Sequence, residues 1–347
     1  MGTTRRTFLR TAGIAGAAAL VARVGDEIAA AAEGPAPGAK GAGSAGRGLT
    51  LCNLQRDGRL SLGVRTKAGI LDVGAAARAQ HVKAPLTTDD VVRGRDLDGL
   101  KKLVAGADKL KKFVVADDQA KFGPALTAPE KIIMLGFNYK QHVIEAKVPS
   151  PKAPVFFNKY NNSLLGSGGV INLPTKVASK FDYEVELVVV MGKTARDVSE
   201  ADALSYVWGY ATGNDFSARD LQFRDGPRSQ FMLGKSCDGF GPLGPWLVSA
   251  DQVPDPQQLK IECRVNGEVR QSSNTNDMIF SCAQIVSFAS RHWTLRPGDI
   301  FFTGTPQGVI NYKPEAEQVW LKAGDKVSSE IQGLGELHFT LADGHLA

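Results

Sequence analysis

Three carboxylates fall at alternate positions in Asp182-Tyr183-Glu184-Val185-Glu186, and the run continues as Leu187-Val188-Val189-Val190. β-branched and aromatic residues at this density favour a pleated strand over a helix. Side chains alternate along a strand, so Asp182, Glu184 and Glu186 project to one side while Tyr183, Val185, Leu187 and Val189 project to the other. Like charges this close repel one another unless a cation or basic side chains lie against them. A second segment, Gly213-Asn214-Asp215, offers a further oxygen ligand. Carboxylates with no Cys or His beside them suit hard cations, magnesium, manganese or calcium, and argue against zinc. The candidate ligand set is Glu184, Glu186 and Asp215; the competing reading is a solvated acidic face neutralised by surrounding Lys and Arg.

Two further groups could do proton chemistry. His142 and Glu145 are three residues apart, after Gly136-Phe137-Asn138-Tyr139. On a helical turn they share a face, and a carboxylate that orients an imidazole is a common way to build a general base. The same spacing also describes an ordinary surface pair. Lys235 sits in Gly234-Lys235-Ser236-Cys237-Asp238-Gly239, where a lysine can approach an acidic site or serve as a plain turn residue. In Thr303-Gly304-Thr305-Pro306-Gln307-Gly308, backbone and hydroxyls rather than charges would meet a ligand.

The elements that must position these groups follow from local pattern. Leu49 opens a series of short strands, with hairpin turns at Asp57-Gly58 and Lys67-Ala68-Gly69. Thr87 to Asp90 can cap a helix, and Leu97, Leu100, Leu103 and Val104 continue at helical spacing. Lys131 to Leu135 and Pro154 to Lys159 read as strands, and Asp225 to Ser229 as a mobile loop. Asn266-Gly267 predicts a type I′ hairpin, Ile285 to Trp293 a helix, and Ile300 to Phe302 a strand.

The chain has 347 residues, 43% hydrophobic and 22% charged, enough for a sizeable core. Of its net charge of +5, the first 32 residues contribute four Arg against Asp26 and Glu27, which leaves +3 and no nucleic-acid footprint. The lysines from Lys101 to Lys112 read as the polar side of helices. Thr4-Arg5-Arg6-Thr7-Phe8-Leu9-Arg10 precedes an apolar run, Thr11 to Val21, too short to span a bilayer, followed by small residues at Ala29 to Ala32. This order resembles a twin-arginine export signal and implies a periplasmic or secreted protein, delivered by the twin-arginine machinery, with no permanent membrane anchor. Cys52, Cys237, Cys263 and Cys282 lack zinc or redox spacing and are expected mostly as buried small apolar residues.

Taken together, Gly136-Phe137-Asn138-Tyr139 with His142 and Glu145, the Asp182 to Glu186 strand, Gly213-Asn214-Asp215 with Arg219 and Gln222, Gly234-Lys235-Ser236 and Thr303-Gly304-Thr305-Pro306 resemble the fumarylacetoacetate hydrolase family in order and spacing. The resemblance implies an α+β, mostly β fold: a rolled mixed β-sheet core behind a small N-terminal α/β lobe, commonly a homodimer. With the N-terminal pattern, this divides the chain into an export signal (1–32) and a flexible linker (33–48), read from the twin-arginine order and composition, and an N-terminal domain (49–125) and a catalytic domain (126–347), implied by the family resemblance. The resemblance implies Mg2+ or Mn2+, with Ca2+ an alternative, on Glu184, Glu186 and Asp215. It further implies water activation by His142 with Glu145, charge stabilisation by Lys235, and contacts from Arg219, Gln222 and Thr305 to a 2-oxo or 2,4-dioxo acid. The implied reaction is hydrolysis of a C–C bond in an acylpyruvate through an enolate. The runners-up are an oxaloacetate-type decarboxylase, a 2-oxo-alkenoate hydratase or isomerase and, more remotely, a non-catalytic metal or organic-acid binder.

Overall fold

The computed structural model describes residues 47–56, 58–224 and 230–344. The export-signal segment, the linker up to residue 46 and the loop Asp225 to Ser229 lie outside the described residues. Ten strands form one mixed sheet, in the order Val114–Val115, Gly69–Asp72, Arg59–Thr66, Thr50–Arg56, Leu247–Ser249, Val207–Asn214, Val185–Met191, Ile300–Phe302, Ile132–Gly136 and Val155–Lys159. A five-stranded sheet is ordered Glu268–Asn274, Lys260–Val265, Lys326–Ile331, Gly335–Asp343 and Gly169–Leu173. This is the mixed, mostly β architecture that the resemblance implies. The N-terminal strands join the larger sheet directly, since Thr50 pairs with Val248 and Leu51 with Leu247. The segments expected as an N-terminal domain and a catalytic domain therefore share a sheet.

Local signals explain most elements. Arg56 pairs with Arg59 across the first hairpin, and Val265 with Glu268 across Asn266-Gly267. Both residues of that second turn have positive φ, 53° and 87°, as a type I′ turn requires. Thr87 and Asp90 form a reciprocal capping box, as do Ser281 and Gln284 at the start of the helix Cys282–His292.

The Val185–Met191 strand is covered on both faces. Val185, Leu187 and Val189 pack with Ile261, Val327 and Phe339 of the smaller sheet. Val188 and Val190 pack with Phe302, Ala211 and residues of the N-terminal lobe. Burying a side chain of this size is worth about 1.5–3 kcal/mol, and the strand gains it on two sides. Glu186 and Glu184 occupy the valine-bearing parity one and two steps nearer the strand's start. The expected continuous strand from Asp182 is interrupted: Phe181–Asp182 pairs separately with Ser217–Ala218, and Tyr183 and Glu184 lie between the two pieces. Competing bonds cause the break. Asp182 turns its carboxylate back to accept from Tyr183 N (2.9 Å), Ile310 N (2.9 Å) and Asn311 N (3.1 Å). No helix among the described residues is long and apolar enough to cross a membrane.

Candidate metal centre

Antiparallel register brings the carboxylates together. Val185 pairs with Asn214 and Glu186 with Gly213, so the next residue, Asp215, arrives beside Glu184. Asp215 N donates to Glu184 O at 2.8 Å, and Asn214 Oδ1 accepts from Glu184 N at 3.2 Å. Ligand atoms of Glu184, Glu186 and Asp215 all lie within 4.8 Å of one another. Their exposures of 6%, 1% and 0% rule out a solvated acidic face.

Basic groups neutralise the cluster. Lys235 Nζ donates to Glu184 Oε2 (2.8 Å), Asp215 Oδ2 (2.7 Å) and Ser217 Oγ (2.9 Å), which engages all three of its donors. Arg219 donates from Nε to Asp182 (2.9 Å), from Nη2 to Glu184 (2.6 Å) and from Nη1 to Gln222 Oε1 (2.9 Å). Lys159, on an edge strand of the large sheet, brings a third buried charge 2.8 Å from Asp215 Oδ1. It also donates to the carbonyls of Phe216 (3.1 Å), Phe240 (2.8 Å) and Lys235. The Lys159–Asp215 contact has ion-pair distance but not hydrogen-bond angle, and Asp215 Oδ1 has no hydrogen-bond partner.

The carboxyls separate by environment. Burial raises the pKa of Glu184, but the charges of Lys235 and Arg219 outweigh it and hold the group down at about 2. Glu186 goes the other way: burial and then the neighbouring Asp215 and Glu184 charges push it well above the usual range, against the Gly304 N–H that reaches Oε2 at 2.7 Å. Burial depresses Lys159, whereas for Lys235 the Asp215 and Glu184 charges overcome burial and raise it. An all-oxygen set, a buried carboxylate oxygen without a hydrogen-bond partner, and no His or Cys in the cluster fit a hard divalent cation held by Glu184, Glu186 and Asp215.

His142 lies on the short helix Lys140–Ala146 and shares a cleft with Glu184, Arg219, Gln222, Lys235 and Thr305. Phe137, Phe157, Phe231 and Tyr312 complete its walls, with Phe157 stacked on Phe231 at 4.8 Å. The cleft has a free volume of about 20 Å3. That is room for about one water. A larger cleft of about 350 Å3, lined by residues that include Arg47, Lys193 and Asp251, shares no lining residue with it and contains none of the three clustered carboxylates.

The fold thus collects these motifs. The chain belongs to the fumarylacetoacetate hydrolase family. Residues 131–342 match its Fumarylacetoacetate (FAA) hydrolase C-terminal domain. The mitochondrial oxaloacetate tautomerase fahd2 of Xenopus laevis is 46% identical over 213 residues, 61% of this chain and 65% of that protein, so the chain spans just under two thirds of that relative's length. The fumarylacetoacetate hydrolase of Exiguobacterium antarcticum is 31% identical with a TM-score of 0.68, covering 85% of this chain and 100% of that one. Fumarylpyruvate hydrolase from Pseudomonas aeruginosa, solved with Mn2+ and pyruvate, is 34% identical with a TM-score of 0.56, covering 66% of this chain and 93% of that one.

In this member of the family several expected contacts are already committed. His142 Nδ1 stands 3.5 Å from Glu145 Oε2 and has no hydrogen-bond partner, while both Glu145 oxygens accept from Gly308 N, at 3.0 and 3.1 Å. The pair is adjacent but not hydrogen-bonded. Arg219 directs its bonds to Asp182, Glu184 and Gln222, and the Thr305 hydroxyl donates to Val185 O (3.0 Å) and accepts from Gln271 (2.9 Å). Sequence reasoning gave Lys159 no role, and missed Tyr312 and the part Asp182 plays in aligning Arg219. The local hint of Lys159 was a buried lysine closing a strand that opens Val155-Phe156-Phe157. The thiols of Cys52, Cys263 and Cys282 are buried, Cys237 is half-buried, and none is in a disulfide.

Proposed function

We propose that this protein is a divalent-metal-dependent enzyme of 2-oxo acids whose leading activity is keto–enol conversion of an oxaloacetate-like diacid. The observation that carries the reading is that His142, Lys235 and Glu184 line one cleft, with Glu184 joined to Glu186 and Asp215 in the acidic cluster. Moving a proton between C3 and the 2-oxo oxygen needs a base, a charge-stabilising site and exclusion of solvent, but no added water. The 46% identity to an oxaloacetate tautomerase supports the same reading.

A divalent cation held by Glu184, Glu186 and Asp215 would supply a Lewis acid for the substrate's carboxylate and 2-oxo oxygens. The residues of the chain do the rest. His142 takes the C3 proton, and its Nδ1, without a fixed partner, leaves the ring able to pass that proton on. Lys235 acts by charge, because its three N–H groups are engaged. Arg219 holds Glu184 in place and presents Gln222 at the cleft wall. Phe137, Phe231 and Tyr312 give the cleft apolar and aromatic walls.

Hydrolysis of an acylpyruvate is the second reading, favoured by the 3.5 Å approach of Glu145 to His142 and by the likeness to fumarylpyruvate hydrolase. There His142, assisted by Glu145, would activate water against the distal carbonyl, releasing a carboxylic acid and pyruvate. The test is to follow decay of enol-oxaloacetate and loss of acetylpyruvate side by side, with Mg2+ or Mn2+, in the parent and in His142→Ala. Tautomerisation should dominate in the parent and fall about 10²- to 10⁴-fold in the variant, the usual loss with a general base. Faster acetylpyruvate cleavage in the parent would favour the hydrolase, and activity towards neither would leave a binding protein.

A further inference from the structure

Asn138, in the Gly-Phe-Asn-Tyr motif, has no part in the chemistry above. It lies between the strand Ile132–Gly136 and the helix that carries His142, and is 1% exposed. Its side-chain amide makes three bonds, all to the backbone of two other segments. Nδ2 donates to Thr303 O at 2.7 Å and to Phe280 O at 3.1 Å, and Oδ1 accepts from Phe280 N at 2.8 Å. Its own carbonyl accepts from Ile279 N at 2.8 Å.

The turn that Asn138 grips is the one that serves the acidic cluster. Gly304, the residue after Thr303, donates its N–H to Glu186 Oε2 at 2.7 Å. Gly304 has φ 94°, and a Cβ built there would stand 2.7 Å from Asn138 Cβ, so the turn rests directly on the asparagine. At its far end Gly308 N bonds Glu145, on the same helix as His142. The helix has only seven residues and no side-chain N-cap, and Gln141 N borrows Asp277 Oδ2 from another segment at 3.0 Å. A helix this short has little rigidity of its own.

We propose that Asn138 is a positioning residue that fixes the distance between His142 and Glu186 by locking the Thr303-Gly304 turn to the start of the His142 helix. This deepens the proposed function and rests on Glu186 as a metal ligand and His142 as the proton carrier. A buried amide with three fixed bonds leaves the linkage little slack, and a displacement of about 1 Å at a reacting centre costs about 100-fold in rate.

The test uses Mn2+, whose paramagnetism broadens nearby nuclei with a steep distance dependence, on full-length protein carrying 13C-labelled histidine. His142→Ala identifies the His142 ring signal among the five histidines. Asn138→Ala and Asn138→Ser should fold, lose at least half of the Mn2+-induced relaxation at His142, and lose about 10- to 100-fold in kcat with little change in KM. A merely structural asparagine would lower thermal stability and leave the relaxation unchanged. Parent relaxation and parent kcat in either folded variant overturn the proposal. If neither variant folds, the parent decides: on Mg2+ titration the Asn138 side-chain amide must shift with the same midpoint as the His142 ring, and an unresponsive amide overturns the proposal. No effect of Mn2+ on His142 in the parent would instead defeat the metal reading itself.

Discussion

Replacing Lys159 by Met removes a buried charge while keeping most of the side chain's volume. Lys159 is the partner of Asp215 Oδ1 at 2.8 Å, and its ammonium also holds three backbone carbonyls. Asp215 keeps Lys235 on its other oxygen, so the loss falls at the low end of the range for breaking a buried pair, about 3 kcal/mol. At about 2 °C per kcal/mol for a chain of this size, the melting temperature should drop by about 6 °C. The substitution also leaves the cluster one charge more negative, so a divalent cation should bind more tightly than in the parent. Thermal melts with and without Mn2+ test both parts, because a ligand at 100 times its Kd adds about 2.7 kcal/mol and tighter binding at fixed concentration adds more. A drop under about 2 °C, or a Mn2+-induced gain no larger than the parent's, would refute the reasoning that Lys159 offsets the charge of the metal site.

Glu184→Ala and Asp215→Ala should each abolish Mn2+ binding in calorimetry, since each removes one of three clustered anionic oxygen donors; parent affinity in both would mean that the metal site lies elsewhere. Glu186, raised above its ordinary value of 4.5, must lose a proton to become a ligand. Mn2+ affinity should therefore rise with pH above 4.5, and the binding heat should differ between buffers of different ionisation enthalpy; equal heats would contradict this. Glu184 has the opposite sign: held at about 2 against an ordinary 4.5, it contributes stability that is present above about 4.5 and lost as pH falls through about 2. In Glu184→Gln stability should fall less steeply with decreasing pH in that window, as urea melts from pH 5 to pH 2 would reveal. Arg5→Lys with Arg6→Lys should retain the protein in the cytoplasm if the N-terminal segment directs twin-arginine export, and undiminished periplasmic protein would argue against it.

The sequence by itself determined the local elements and the identity of most groups in the site. Alternation of apolar residues placed Val185 to Val190, with Glu186, on a strand, Asn266-Gly267 set its hairpin, and three-residue spacing put His142 and Glu145 on one helical face. These features are legible because backbone geometry repeats over a few residues and depends little on what lies far away. Tertiary structure decided how the charges are paired. Register with the Val207–Asn214 strand sets Asp215 beside Glu184, an edge strand delivers Lys159, and the Ile310 and Asn311 N–H groups draw Asp182 back and break the acidic strand. Arg219 and Thr305, which the motif assigns to substrate, are bonded within the fold. Which carboxylate is held below its ordinary range and which is pushed above it follows from burial and from charges contributed by segments distant in sequence, as with Lys235 beside Glu184. Such interactions depend on separation in space, which pattern along the chain does not encode.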